Sequence, residues 1–135
     1  MSAAQTNMDN PTGSQRRLLL VEDERLIRER IEAAFTEWDV TPAIDGEQAI
    51  ELLWSGMFDV VLLDMMLPRL SGYDVIRHMS MRRPELLQRT IVFSGANDID
   101  TAFIEGLNIR KIIKKPAPPE VLLEIASDIA AEANA

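Results

Sequence analysis

Cysteine is absent from this 135-residue chain. That excludes disulfides and thiolate metal sites and fits a reducing compartment, so the expected location is the cytoplasm. Histidine occurs once, as His78, so neither a histidine pair for a metal nor a conventional Ser-His-Asp triad is read; it is expected on the surface of the third predicted helix, and no function is assigned to it. No apolar run approaches the roughly 20 residues needed to span a bilayer, and the polar start reads as neither a signal peptide nor an anchor. Positive charge is in deficit: 14 Lys and Arg stand against 22 Asp and Glu, for a net charge of -8. Such a chain repels a phosphate backbone unless its basic residues cluster strongly. The two short basic groups, Arg16 with Arg17 and Arg82 with Arg83, read as solvated loop charge. Neither nucleic acid nor membrane is expected as a partner.

The length fits one domain with a real core and little left for a second, so any output activity is expected in another chain or a missing region. Residues 1–15, MSAAQTNMDNPTGSQ, are small and polar and contain Pro11 and Gly13, a composition expected to give a flexible tail before a domain over 16–135. The Met1 start and short tail favour a complete protein. Strand and helix signals then alternate. Short apolar runs over 18–21, 60–63, 90–93 and 111–114 have the pattern of parallel strands buried on both faces. A weaker strand over 40–44 contains Pro42, which cannot donate to a ladder and belongs at a sheet edge.

The first helix is predicted over 24–38, with Leu26 or Ile27, Ile31, Ala34 or Phe35, and Trp38 at helical spacing. Further helices are predicted over 46–55, 73–81 and 98–107. The last begins after Pro116 and Pro118 and has Val121, Leu122, Ile125 and Ile129 on one stripe. Asp45 followed by Gln48 reads as a cap of the capping-box type, and Arg82-Arg83-Pro84 as a helix stop. Trp38 and Trp54 read as packing residues. Leu123, off the last stripe, is a candidate partner contact, although single exposed apolar residues are ordinary. Five strand-helix repeats with short connections imply a doubly wound α/β sandwich with right-handed crossovers.

In an open parallel sheet, ligands bind outside the strand C-termini. Glu22 and Asp23, Asp64, Ser94, and Lys115 before Pro116 all fall there. Acids are favourable at a helix N-terminus in any case, by about 0.3–1 kcal/mol each, but Asp64 ends a neighbouring core strand on the same sheet edge. Asp59 lies at the far end, five residues of about 3.3 Å each away. Carboxylates about 4 Å apart repel by roughly 4 kcal/mol per pair at an effective dielectric near 20, so the cluster calls for a cation. Oxygen-only ligands select a hard ion, and a few carboxylates with room for water and phosphate suit Mg²⁺ better than Ca²⁺. Asp64, on rigid backbone, could attack a phosphoryl group; a lysine would supply charge to a phosphate oxygen and Ser94 a hydroxyl. The apolar pattern leaves Lys114 and Lys115 open; Pro116, fixing the adjacent turn, favours Lys115.

Together LLLVEDE, DVVLLDMMLPRLSG, IVFSGA and IIKKP resemble a bacterial response-regulator receiver domain over residues 17–131. The resemblance implies a flavodoxin-like, five-stranded parallel sheet of order 2-1-3-4-5 with five helices. It implies Asp64 as the residue phosphorylated by a sensor histidine kinase or histidine phosphotransfer protein. Asp23, Asp64 and the main-chain carbonyl of Met66 would hold Mg²⁺, with Glu22 acting through water, while Ser94 and Lys115 would serve the switch and the phosphate. Such a domain promotes only its own aspartyl phosphorylation and dephosphorylation and is otherwise no enzyme. It would signal to a downstream protein through the face of helix four, strand five and helix five, as a monomer or weak dimer.

Two positions depart from the pattern. Ile112 stands where the family usually has Tyr or Phe, so the usual aromatic coupling to Ser94 cannot operate in its ordinary form. Asn108 stands at a usual glycine, a tolerable exchange because Asn accepts left-handed angles. Met66 and Ala96 offer no group to orient an attacking water, so slow to moderate self-hydrolysis is expected. A phosphorylation-independent interaction module is the alternative. An aspartate-nucleophile hydrolase is the third reading, weakened by Met66 where such enzymes usually carry a second acid.

Overall fold

Apolar residues fill the segments 18–21, 60–63 and 91–93 so completely that both faces of the sheet must be covered there; the run 111–114, expected to be buried in the same way, is instead an edge strand whose Lys111, Ile112 and Lys114 are exposed. The computed structural model describes residues 15–95 and 100–133; expectations concerning residues 1–14, residues 98–99 and Ala96 lie outside them. The strands are β1 (Arg17–Val21), β2 (Asp39–Ala43), β3 (Val60–Leu63), β4 (Thr90–Ser94) and β5 (Lys111–Lys114). They form one parallel sheet of order β2-β1-β3-β4-β5, the doubly wound order expected. The helices are α1 (Arg25–Ala34), α2 (Gly46–Ser55), α3 (Gly72–Arg82), α4 (Thr101–Ile104) and α5 (Pro119–Ala133), with a 3₁₀ turn at Pro84–Arg89.

Alternation along each strand divides the core in two. Leu19, Val21, Val61, Leu63 and Val92 meet Ala49 and Leu53 of α2 and Val75, Ile76 and Met79 of α3. Leu18, Leu20, Val60, Leu62, Ile91 and Phe93 meet Ile31 of α1 and Leu122, Ala126 and Ile129 of α5. Each fully buried side chain of this size contributes about 1.5–3 kcal/mol relative to exposure. Among the described residues no helix is long and apolar enough to cross a membrane.

Several elements end elsewhere than their apolar spacing suggests. α1 stops at Ala34: the Phe35 N–H donates to Ile31 and Glu32 carbonyls at the C-cap, and Trp38 leaves the helix to pack edge-on against Phe35 at 5.2 Å. α3 starts a residue early because Ser71 and Asp74 form a reciprocal capping box. α4 has only four residues, and Gly106 follows with φ 89. At Asp45 the cap is real, accepting from Gln48 N–H at 2.8 Å, but Gln48 Oε1 accepts from Ile44 rather than completing a box on Asp45.

The basic pairs are not solvated loop charge. Arg17 opens β1, its N–H donates to Asp59 Oδ2 at 2.7 Å, and its guanidinium lies over Phe58. Arg83 donates to the Leu53 carbonyl at 3.2 Å, tying α3 to the end of α2, and Arg82 closes α3 above the Trp54 ring at 4.9 Å. Trp54 is 56 % exposed, a surface ring where a packing residue was expected, and it meets the half-buried His78. On α5 the roles of two residues are exchanged: Val121 is exposed, while Leu123 is half-buried against the core.

Candidate functional site

Register builds the site. Val21 pairs with Leu63, so β1 and β3 end in step, and Leu63 with Val92 extends that alignment to β4. The ladder continues one residue further, with Asp64 N–H donating to the Val21 carbonyl and Glu22 N–H to the Ala43 carbonyl, both at 3.0 Å. Glu22 and Asp64 therefore emerge side by side. Both are buried, whereas Asp23 is exposed. One carboxylate oxygen from each of the three lies within 4.8 Å of the others.

On the far side, Lys115 N–H donates to the Ser94 carbonyl at 2.8 Å, anchoring the turn after β5, which carries a cis Lys115-Pro116 bond. Lys115 Nζ lies 3.1 Å from Glu22 Oε1 and 3.3 Å from Asp64 Oδ2, and 5.3 Å from the Phe93 ring centroid. Lys114 is exposed. Ser94 Oγ donates to Asp64 Oδ1 at 3.1 Å, and Met66 N–H donates to the same oxygen at 3.1 Å. The Met66 side chain is exposed; its main chain is what reaches the site.

Burial raises the Glu22 pKa above the usual carboxylate value, and the charge of Asp64 adds to that; the Glu24 N–H and Lys115 act in the opposite sense. For Lys115, burial alone lowers the pKa, but pairing with Glu22 and Asp64 outweighs it and the net shift is upward. The ammonium therefore stays charged. Among the described residues, Lys115 is the cation paired with two of the three clustered carboxylates, and its Nζ engages Glu22 Oε1 at 3.1 Å. Buried oxygen-only donors and surplus negative charge fit a hard divalent cation.

Most supports of this site were not read from the sequence. Gly72 packs so tightly that a Cβ would come within 2.7 Å of the Asp64 carbonyl oxygen, and a Cβ on Gly46 within 1.8 Å of that of Leu70. Arg69, at φ 63, pairs with Asp45 at 3.2 Å and Glu47 at 3.4 Å. Of these supports the sequence showed Asp45 as a helix cap, and Ser71-x-x-Asp74 is a further capping motif that it carries. Asp59 lies away from the site on Arg17 N–H. Ile112 is exposed, and its neighbour Ile113 is the β5 residue packed on the core.

Beside Lys115 a groove of about 700 Å³ runs between α1 and the start of α5, lined by Ile27, Ile31, Phe93, Pro116 and Pro119. A depression of about 730 Å³, lined by Arg16, Trp38 and Leu123, lies by the opposite end of β1 and contains none of the carboxylates.

The family model for the response regulator receiver domain matches residues 18–127. The transcriptional regulatory protein DltR of Streptococcus agalactiae is 36 % identical over 111 residues, covering 79 % of this chain and 48 % of its own length. The response regulator MprA of Mycolicibacterium vanbaalenii is 42 % identical over 94 residues, covering 68 % of this chain and 39 % of its own. The chain thus spans about half or less of these relatives. The receiver domain of Francisella response regulator 1452 superposes with a TM-score of 0.77 at 24 % identity, covering 88 % of this chain and 99 % of that one, which shows the shared fold.

Proposed function

Because the chain belongs to the response regulator receiver family of two-component signalling, we propose that it is a phosphorylation-controlled switch accepting a phosphoryl group on Asp64. The observation carrying this reading is the convergence of Lys115 Nζ on Glu22 and Asp64, at 3.1 and 3.3 Å, with Asp23 at the exposed side of the cluster. In the proposed reaction a carboxylate oxygen of Asp64 bonds to phosphorus while the bond from phosphorus to a donor imidazole nitrogen breaks. The electron pair returns to the donor ring, which is left as ordinary histidine. Water later cleaves the acyl phosphate, restoring the carboxylate and releasing inorganic phosphate.

Glu22, Asp23, Asp64 and the Met66 main-chain carbonyl would hold Mg²⁺, Glu22 through water. When bound, the ion offsets the clustered acids and the charge on the transferring phosphoryl oxygens. Lys115 places its ammonium against a phosphoryl oxygen, and Ser94 donates its hydroxyl to another. The proposed donor is a sensor histidine kinase or histidine phosphotransfer protein, for which the groove between α1 and α5 offers apolar surface beside Lys115. A phosphoryl group of charge near -2 draws Ser94 and Lys115 toward it and alters the α4, β5 and α5 face, through which output to another protein is proposed.

Intact mass after incubation with Mg²⁺ and a small phosphodonor tests this. One added phosphoryl group, lost in Asp64→Asn and in chelator, is expected. No adduct and no beryllofluoride binding would instead support a phosphorylation-independent interaction module, the reading favoured by Ile112. Continuous phosphate release with turnover would point to a hydrolase.

A further inference from the structure

The segment joining β3 to α3 carries the main chain of Met66, whose N–H already reaches Asp64 Oδ1. Its base is held by packing: Leu67 lies against the core, and Gly72 N–H donates to the Met65 carbonyl at 3.0 Å. Its crown is held by charge. Arg69 occupies the left-handed region at φ 63, which costs a non-glycine residue energy and persists only where surrounding contacts impose it. From that position its Nε lies 3.2 Å from Asp45 Oδ2, and its Nη1 3.4 Å from Glu47 Oε1. Asp45 is 4 % exposed, and a carboxylate so buried is unfavourable without a partner cation. The N-terminus of α2 and the loop are in direct backbone contact, as the 1.8 Å approach of a Cβ on Gly46 to the Leu70 oxygen shows.

We propose that Arg69 is a positioning residue for the magnesium site. Its pairing with Asp45 clamps residues 65–71 against the start of α2 and so holds the Met66 main chain where it helps receive the ion. This rests on the reading of Glu22, Asp23 and Asp64 as the ion's carboxylates. Arg69 touches neither ion nor phosphate; it acts through the loop.

The test is a magnesium chloride titration of the full chain, followed by the amide resonances of Asp23, Asp64 and Met66, on variants first shown to be folded by denaturation. Arg69→Ala is expected to weaken Mg²⁺ affinity roughly three- to ten-fold. Asp45→Asn keeps an oxygen for the Gln48 cap and is expected to do the same, and the double variant to be no worse than either single one. Arg69→Lys recovers part of the affinity. Arg69→Gly, free of the left-handed penalty, is expected to stay as weak as Arg69→Ala. Wild-type affinity in Arg69→Ala, full recovery in Arg69→Gly, or additive single effects would each overturn the proposal. If the wild-type chain binds Mg²⁺ and only the variants fail to differ, the clamp alone falls. If the wild-type chain gives no Mg²⁺ response, the reading of the acidic pocket falls with it.

Discussion

His78 stands edge-on to Trp54, with ring centroids 5.4 Å apart, on the surface where α2 meets the end of α3. Burial holds its pKa below the ordinary 6.5, and the positive charge of Arg82, one helical turn further along α3, lowers it again. Because folding favours the neutral ring, this residue's stabilising contribution is present above pH 6.5 and is lost as pH falls through the lower folded value. A single imidazole simplifies the measurement. The Cε1 proton is expected to titrate by NMR with a midpoint below 6.5, and Arg82→Gln to move that midpoint upward. A wild-type midpoint at 6.5 or above would show that neither burial nor Arg82 governs the ring. At this scale the sequence was legible where strand position alone places a residue, as with Asp64 beside Glu22 at the sheet edge, and silent where direction decides. The choice between Lys114 and Lys115 depends on which way the chain turns before Pro116, and nothing in the apolar pattern encodes that.

The elements were legible where burial dictates them. Leu18–Val21 of β1, Val60–Leu63 of β3 and Ile91–Phe93 of β4 are apolar because both faces are covered, and β2 is placed at the edge by Pro42. Element ends were less legible because local hydrogen bonds, not periodicity, fix them: Trp38 keeps helical spacing with Ile31 but serves the core from a turn. The contacts between elements were illegible for a different reason, since a glycine in a sequence does not say what lies against it. Gly72 is the sharpest case. A Cβ there would meet Met65 Cα at 2.5 Å and the Asp64 oxygen at 2.7 Å, both backbone atoms of the rigid turn under the carboxylate cluster. Neither can yield as a side chain would. Gly72→Ala is therefore expected to cost about 2–3 kcal/mol in urea denaturation, despite the better helix propensity of alanine. A loss below about 0.5 kcal/mol, the ordinary range for a neutral surface change, would mean that α3 does not press on the turn this closely.

Among the described residues the sheet is open, with β2 and β5 at its two edges, and an open edge invites pairing with another chain. At β2 the exposed Pro42 removes a donor. At β5 the protection is charge: exposed Lys111 and Lys114 flank exposed Ile112. This edge belongs to the face through which output is proposed, so whatever shields it also sets whether that face is free for a partner or lost to self-pairing. Replacing both lysines by threonine would leave a short strand of high β propensity with an exposed isoleucine and no gatekeeper. Loss of two positive charges also makes the net charge more negative than -8, which by itself opposes association. The combined Lys111→Thr and Lys114→Thr variant is nonetheless expected to sediment as larger species than the wild-type chain at equal concentration. Because charge repulsion runs the other way, such a shift can be assigned to the bared strand edge; unchanged sedimentation would mean that the short length of β5, rather than its lysines, keeps the edge silent.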